Sequence, residues 1–263
     1  MPDKIKLKNS IKKNDGWWAT VFAAPIANKI LYFFADIKGI TPNHLTFFSL
    51  LLGLLASYCF FMHNMKSMIL GAFLIQTSFI FDCMDGQLAR YRNSRSNFGA
   101  WLDRVSDRVK DFAYFFSLAL GWFLKYQDAK ALSANCVVFR VDFEVWMIWP
   151  LSMISFFSLY LIDYYVNQDV KLERIKQVFS ESQELFEKKF LKLILKKIMN
   201  FGLLVYKKIP VLRFNIGEQA LLLSLFTFFQ NTFGLFIFFS LLGIFYCFYW
   251  PFAKIYGYTL DKQ

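Results

Sequence analysis

Residues 81–111, FDCMDGQLARYRNSRSNFGAWLDRVSDRVKD, carry four aspartates in a part of the chain that is otherwise strongly apolar. Asp82 and Asp85 are three residues apart, and Asp103 and Asp107 are four apart. Side chains at these spacings lie on the same face of an α-helix. The stretch therefore predicts two helices, each of which presents a pair of carboxylates.

A polar loop, residues 92–97, separates the two pairs and predicts an antiparallel helical hairpin. Counted outward from this loop, Asp85 and Asp103 lie at about the same depth, and Asp82 and Asp107 lie about one turn further in. Four carboxylates then converge between two helices. Their mutual repulsion and desolvation need compensation, for which an oxygen-ligated divalent metal is the simplest source. Four carboxylates suit two ions.

The spacing of these residues also resembles the signature of a known enzyme family. The chain reads Asp82-x2-Asp85-Gly86-x2-Ala89-Arg90-x8-Gly99-x3-Asp103-x3-Asp107. This string resembles the full signature of the CDP-alcohol phosphotransferases. Eight specified residues over 26 positions make a chance match improbable, although the signature itself covers only about a tenth of the chain.

The resemblance implies a reaction and assigns roles to residues. Family members join a CDP-activated alcohol to a second alcohol and release CMP, with Mg²⁺ or Mn²⁺ as cofactor. It implies that Asp107 is the general base as well as a metal ligand beside Asp82, Asp85 and Asp103. Residues 42–46, PNHLT, resemble a further family element that contributes to the nucleotide site. The expected CDP contacts are Asn43, Thr46, Asp82, Gly86, Ala89, Arg90 and Gly99.

The composition indicates an integral membrane protein of the all-α class. Of 263 residues, 57% are hydrophobic and 21% aromatic, and 34 are Phe. A soluble domain of this size does not carry so much apolar surface. The net charge of +11 is explained by contact with anionic lipid and by basic loops that orient the spans.

Apolar runs predict six transmembrane helices in one membrane-embedded domain, residues 1–263. The runs are 42–62, 68–90, 98–124, 145–162, 217–230 and 233–250. Residues 1–40 form a predicted cytoplasmic or interfacial segment. Within it, residues 17–37 are expected to form an amphipathic helix that Pro25 bends.

Lysine and arginine predict the orientation of these spans. The N-terminal segment, the 91–97 loop, residues 164–216 and the C-terminal tail together hold 20 of them, against 4 in the two opposite loops. Basic segments stay in the cytoplasm, which predicts cytoplasmic termini and a carboxylate site that faces the cytoplasm, in the inner membrane of a bacterium. The insertion 164–216, between spans four and five, is predicted to be a basic amphipathic helix on the inner leaflet, with a lid or a dimer contact as alternatives.

The identity of the substrates stays open at this level. The expected donor is CDP-diacylglycerol and the expected acceptor a polar alcohol such as inositol, inositol phosphate or glycerol phosphate. The alternative is transfer from a CDP-activated head group, such as CDP-inositol, to a lipid or polyol. The phrase FGAWLDRVSDRVKD resembles family members that handle inositol or its phosphate. Arg108 and Arg213 are candidate acceptor contacts, and Glu218 is a weaker one.

A structural or a transport role for the aspartates predicts different neighbours. A purely structural ion-pair network would join them to Arg90, Arg104, Arg108 and Lys110 without catalysis. A cation transporter would need polar residues through the full membrane depth, whereas the outer ends of the predicted spans lack charge. Nucleic-acid binding would need a basic surface with exposed aromatics on a soluble domain. The family's homodimers make a homodimer the expected assembly.

Overall fold

The computed structural model describes residues 2–12, 16–37, 39–132, 147–160 and 216–245. These residues are helical or in turns, with no strand among them, in agreement with the predicted all-α class. We number the α-helices in chain order, with one π-helix, Ala19–Ala23, between the first two. They are α1 Lys4–Asn9, α2 Ala24–Leu31, α3 Pro42–Met62, α4 Met65–Tyr91, α5 Asn97–Leu132, α6 Met147–Tyr160, α7 Ile216–Phe228 and α8 Thr232–Phe245.

The start of α3 is determined by local sequence. Thr41 is the N-cap and its side chain accepts the backbone N–H of His44, while the His44 ring accepts the N–H of Thr41. Pro42 occupies the first turn, where its missing N–H costs no helical hydrogen bond. This reciprocal capping explains why the polar stretch before the first apolar run begins a helix there.

The turn between α3 and α4 is also determined by residues close together in the sequence. His63 adopts a left-handed conformation with φ of 46°, and Asn64 then caps α4 by accepting the N–H of Ser67. Lys125 at the far part of α5 donates to the His63 carbonyl over 3.3 Å. Burial, and then the charge of Lys125, lower the pKa of His63 to about 4, so its ring is neutral at pH 7.

Helix α3 is the element on which α4 and α5 both pack. Its contacts with each of them are extensive, whereas α4 and α5 have few close backbone contacts with one another. The predicted hairpin is therefore present as two helices joined by a short loop, but it is open rather than tightly packed. The gap between α4 and α5 is the space in which the aspartates lie.

The close approach of α3 and α5 depends on Gly121. A Cβ atom at this position would lie 2.5 Å from the Phe61 carbonyl oxygen and 2.7 Å from that of Phe60. Both are backbone atoms of α3, so a side-chain rotation does not relieve the contact. Beside this crossing, Phe60, Leu118 and Phe236 are fully buried in the main apolar core. Gly121 thus sets the distance between the two helices that carry the core.

We expect Gly121→Ala to destabilise the protein by about 2 kcal/mol, because overpacking at a rigid contact has costs of this order. The measurement is the midpoint of unfolding in detergent. Gly39→Ala is the matched control, since nothing lies within 4 Å of the Cβ position there. Equal midpoints for the two variants would contradict the tight crossing.

The N-terminal segment is helical without a break over residues 17–31, so the helix predicted for residues 17–37 is present but ends earlier. Residues 19–23 have π-helical geometry, α2 continues to Leu31, and residues 32–36 form turns. Pro25 lies in the first turn of α2 and cannot donate the hydrogen bond that would continue a regular α-helix through the preceding residues. The small residues Ala23 and Ala27 are fully buried, and α2 packs on α4. One face of the segment therefore belongs to the protein core.

Within the part of the chain that the structure describes, two helices, α3 and α4, are long and apolar enough to cross a membrane. The described parts of α6, α7 and α8 are apolar but shorter, and α5 has 36 residues with charged side chains along its first half. The prediction of six spans is thus supported by length and composition for two of them. The insertion 164–216, apart from its last residue, lies outside the described residues.

Candidate active site

Three of the four signature aspartates form a compact group between α4 and α5. Asp82, Asp85 and Asp103 each present a carboxylate oxygen, and these oxygens all lie within 4.8 Å of one another. Asp85 is buried, and the other two are partly exposed. A Mg²⁺ ion with metal–oxygen bonds of about 2.1 Å holds its ligand oxygens at most about 4.2 Å apart. Small movements of the side chains would therefore complete a three-carboxylate metal site.

Helix α3 contributes hydroxyl groups that orient two of these carboxylates. Thr46 Oγ1 donates to Asp85 Oδ2 over 2.5 Å. Ser49, which is fully buried, lies 3.4 Å from Asp82 Oδ1 through its Oγ. Such contacts restrict the rotamers of the two carboxylates. Thr46, expected at the nucleotide, thus also supports a carboxylate.

Asp107 lies apart from the group of three and is joined to it through Lys110. The Lys110 ammonium is 3.0 Å from Asp107 Oδ1 and 2.9 Å from Asp82 Oδ1. It also donates to Ser49 Oγ over 3.1 Å. Asp107 and Lys110 are both buried, with 7% and 6% of their surfaces exposed. The four carboxylates therefore converge as a set of three plus one, with a lysine between.

The predicted CDP-binding residues line one cleft of about 210 Å³. It lies between the start of α3, the end of α4 and the start of α5, and the loop 92–96 forms part of its wall. The lining includes Asn43, Thr46, Asp85, Gly86, Ala89, Arg90, Gly99 and Asp103. Every predicted CDP contact except Asp82 is thus brought to one cavity. Ser94, Arg95 and Ser96 add polar groups that the sequence did not single out.

Glycine at position 99 keeps the cleft open. A Cβ atom there would lie 3.2 Å from Asn43 Oδ1 and 3.0 Å from Ser96 Oγ, both of which are polar groups at the cleft. Because these contacts are tighter than ordinary van der Waals distances, a larger side chain would displace one of them. The small residue thus keeps two polar groups of the cleft in position.

Arg90 connects the cleft to the N-terminal segment. Its Nε donates to the backbone carbonyl of Ser10, just after α1. Asn28 of α2 donates to the carbonyl of Leu7 and to the Gln87 side chain, which anchors the same segment on α4. The N-terminal residues therefore help to orient a guanidinium that lines this cleft.

A second and much smaller cavity, of about 40 Å³, is lined in part by Asp107. Its apolar walls come from α4, α5, α6, α7 and α8, and its polar groups include Ser78, Asp107, Lys110, Asp111, Tyr114 and Gln219. The carboxylate cluster thus stands between two cavities, one lined by the signature residues and one bounded by the later helices. Asp107 and Lys110 face the second cavity.

The residues predicted to contact the acceptor lie in different places. Arg108 lies 3.5 Å from Asp111, which lines the second cavity. Arg213 lies outside the described residues. Glu218 is almost completely buried and accepts the backbone N–H of Trp18 over 3.2 Å, so it ties α7 to the N-terminal segment. Of the arginines in the ion-pair alternative, Arg104 donates to the Ala100 carbonyl on its own helix.

Comparison with known proteins identifies the family. The sequence profile described as CDP-alcohol phosphatidyltransferase matches residues 39–178, which is more than half of the chain. This chain belongs to the CDP-alcohol phosphatidyltransferase family. The matched region contains all of the signature residues and both helices that carry the aspartates.

Several curated relatives match this chain over part of its length. An archaetidylinositol phosphate synthase of Pyrococcus horikoshii is 40% identical over 34% of this chain and 45% of its own. A bifunctional IPC transferase and DIPP synthase of Aquifex aeolicus is 34% identical over 44% of this chain and 26% of its own. A phosphatidylinositol phosphate synthase of Corynebacterium glutamicum is 31% identical over 48% and 55%. The similarity therefore spans about half or less of each relative.

Sequence reasoning did not foresee the position of Lys110 or the roles of the two hydroxyls. Lys110 was grouped with three arginines as a possible ion-pair partner, and its ammonium lies between two signature aspartates. The helical spacing of three residues from Asp107 was the available signal. Ser49 gave no such signal, because its contact with Asp82 crosses from α3 to α4.

Proposed function

We propose that this protein is a metal-dependent transferase that moves a phosphoalcohol group, phosphatidyl in the first instance, from a CDP-alcohol to a polyol phosphate, with release of CMP. The observation that carries the proposal is the cleft in which six predicted CDP-binding residues come together with Asp85 and Asp103 of the three-carboxylate group. Inositol phosphate is the proposed acceptor, and the names of the archaeal and corynebacterial relatives support it.

The residues fit a divalent ion and a diphosphate. Asp82, Asp85 and Asp103 supply the hard oxygen ligands that Mg²⁺ and Mn²⁺ prefer, and these are the residues that would hold the ion. When bound, the ion would neutralise charge on the diphosphate and favour departure of CMP. Arg90 lines the same cleft, and its planar guanidinium suits two phosphate oxygens at once.

Asp107 is the proposed general base of this reaction. The acceptor oxygen forms a new bond to the phosphorus that carries the donor alcohol, and the bond from that phosphorus to CMP breaks. The proton of the attacking hydroxyl passes to an Asp107 carboxylate oxygen, and CMP leaves as a phosphate monoester. Lys110 binds Oδ1 of Asp107, which leaves Oδ2 for this proton.

We propose that the acceptor reaches Asp107 from the second cavity. Asp107 and Lys110 lie at its polar end, and Arg108 is connected to it through Asp111. A polyol phosphate needs hydroxyl acceptors, which Asp107 and Asp111 supply, and a cationic group, for which Arg108 beside Asp111 is the candidate. Arg108 and Arg213 stay as candidate phosphate contacts. The apolar walls of the cavity would not contact such a polar acceptor. They would instead pack against neighbouring helices or lipid.

The surrounding features of the proposal concern the membrane. The apolar runs are the basis for proposing six spans. The basic loops are the basis for placing the N-terminus and the site on the cytoplasmic side of a bacterial inner membrane. The homodimer is proposed because family members form homodimers. The insertion 164–216 is proposed to lie on the inner leaflet. Cysteine accessibility at the 91–97 loop would test the orientation, because cytoplasmic loops resist a membrane-impermeant thiol reagent in intact cells.

The test of the reaction is release of CMP by purified protein in lipid with Mg²⁺ or Mn²⁺. One arm offers CDP-diacylglycerol with inositol, inositol phosphate or glycerol phosphate. The other offers CDP-inositol with lipid and polyol acceptors. CMP release in the first arm supports phosphatidyl transfer and identifies the acceptor. Release in the second arm alone would reverse the donor assignment, and no release in either arm would contradict the proposed activity.

A further inference from the structure

The ammonium group of Lys110 has a complete set of partners in the middle of the carboxylate cluster. A lysine ammonium has three N–H donors. Asp82 Oδ1, Asp107 Oδ1 and Ser49 Oγ lie 2.9, 3.0 and 3.1 Å from Nζ, one oxygen for each donor. Because the side chain is only 8% exposed, these protein oxygens replace the water that would otherwise solvate the charge. The cation is thus held inside the site by three hydrogen bonds.

The fold makes room for this lysine. Its aliphatic part passes over Gly53 of α3, where a Cβ atom would lie 2.8 Å from Lys110 Cγ and 2.9 Å from Cδ. The same Cβ would lie 2.7 Å from the hydroxyl oxygen of Tyr114. Gly53 therefore admits the side chain between α3 and α5, so that the ammonium reaches Asp82 on α4. A lysine that paired only with a carboxylate at the protein surface would not need a glycine on the neighbouring helix to make room for its side chain.

The Lys110 ammonium contacts one oxygen of Asp82 and one of Asp107, the two carboxylates that a second divalent ion between them would bind. The three grouped oxygens belong to Asp82, Asp85 and Asp103, and they suit one ion. In a two-metal site the ions are about 3.5–4 Å apart and share a bridging carboxylate. Here Asp82 is the carboxylate common to the group of three and to Asp107, and its Oδ1 is bound by Lys110.

We propose that this enzyme binds one divalent ion per chain, and that the Lys110 ammonium takes the place of the second ion between Asp82 and Asp107. This inference refines the metal site of the proposed function, on which it rests, and changes the expectation of two ions drawn from the sequence. Lys110 then acts as a positioning residue. It holds the proposed base, Asp107, in a fixed position relative to the single metal ion. It also supplies a positive charge that, unlike a bound metal ion, does not dissociate into solvent.

The proposal is tested by counting Mn²⁺ ions on the purified protein in lipid, with the metal alone as probe. Free and bound Mn²⁺ are measured by electron paramagnetic resonance, which also distinguishes an isolated ion from a spin-coupled pair. The wild-type chain is expected to bind one isolated Mn²⁺. Two coupled ions, or none, on the wild-type chain would overturn the proposal without the need for any variant.

Charge variants at position 110 test the role of the lysine itself. Lys110→Gln removes the cation and is expected to raise the stoichiometry to two ions with a coupled spectrum. Lys110→Arg keeps a cation and is expected to stay at one. Lys125→Gln is the matched control, because it removes a lysine from the same helix at an exposed position far along it. One ion on Lys110→Gln, with wild-type affinity, would contradict the substitution of metal by lysine.

The metal count and the CMP assay test the two proposals independently. Two ions on a wild-type protein that releases CMP would remove the role of Lys110 and leave the proposed function intact. One ion on a protein that releases no CMP with any donor would do the reverse. Both measurements are therefore made on the same preparation.

Discussion

Asp107→Asn is expected to lower CMP release by about a thousandfold, because an amide does not accept the proton of the attacking hydroxyl and loss of a general base has effects of this order. The fold and the metal should survive the change. An asparagine Oδ1 still accepts the hydrogen bond that Lys110 donates over 3.0 Å to Asp107 Oδ1. The group Asp82, Asp85 and Asp103 does not include this residue. The comparison is between initial rates of CMP release at saturating donor.

Nucleotide binding separates a base from a metal ligand at position 107. If Asp107 acts chiefly as a base, metal-dependent binding of CDP by Asp107→Asn stays within a few-fold of wild type, since the CDP cleft is lined by other residues. Titration of CDP with and without Mn²⁺ gives this affinity. A variant that lost metal-dependent binding together with turnover would make Asp107 a ligand, and would also count against the single-ion site.

The second large effect is expected for Asp85→Asn. Asp85 is the most buried of the three grouped carboxylates and also lines the cleft proposed to bind CDP, so it belongs to both the proposed metal site and the proposed donor site. Even changes around a ligand lower metal affinity about 10–100-fold, and loss of the ligand itself should exceed that. We expect Mn²⁺ affinity to fall at least about 100-fold and CMP release to fall with it.

Asp36→Asn serves as the charge-matched control for Asp85→Asn. Asp36 accepts the Tyr91 hydroxyl over 2.9 Å and lies outside the carboxylate group. Its variant should bind Mn²⁺ as the wild type does. Because Thr46 can still hydrogen-bond to an asparagine at position 85, a folded Asp85→Asn protein is expected. Wild-type Mn²⁺ affinity in that protein would remove Asp85 from the proposed metal site.

The helices of the site were predictable from local sequence. The first apolar run was predicted to begin at residue 42, and α3 begins at Pro42 because Thr41 and His44 cap one another. The predicted start of the second run was three residues late, since the Asn64 and Ser67 capping pair extends α4 back to Met65. The loop 92–97 separates α4 from α5 as expected, and α5 begins at Asn97. These features depend on residues that are neighbours in the chain.

The spacing of the aspartates predicted where the site lies but not how its members are divided. Helix geometry placed Asp85 level with Asp103, and both lie in the group of three. It also placed Asp82 level with Asp107, and it did not show that the ammonium of Lys110 lies between these two carboxylates. The number of residues between each aspartate and the loop gives its depth along the helix, but it does not give the distance between the two helices. That distance is set by α3, on which α4 and α5 both pack.

The N-terminal segment is a case in which the apolar pattern was correct and its interpretation incomplete. The pattern of apolar residues in 17–37 predicted an amphipathic helix at the membrane surface. In the structure Ala19, Ala23 and Leu31 are buried against the rest of the protein, and Trp18 donates to Gln76 of α4 over 3.0 Å. An amphipathic face buries equally well on lipid or on another helix, so the pattern alone does not choose.

The amino-acid sequence by itself determined the helical class, the helix boundaries at their caps, the family and the four aspartates. Each of these depends on short-range chemistry: hydrophobic content, capping side chains and the periodicity of one helix. Only the tertiary structure decided that Gly53 admits Lys110 beside Asp82, that Thr46 orients Asp85, and that Gly121 brings α3 against α5. These contacts join residues from different helices. Their distances depend on how closely the backbones pack, which spacing along one helix does not specify.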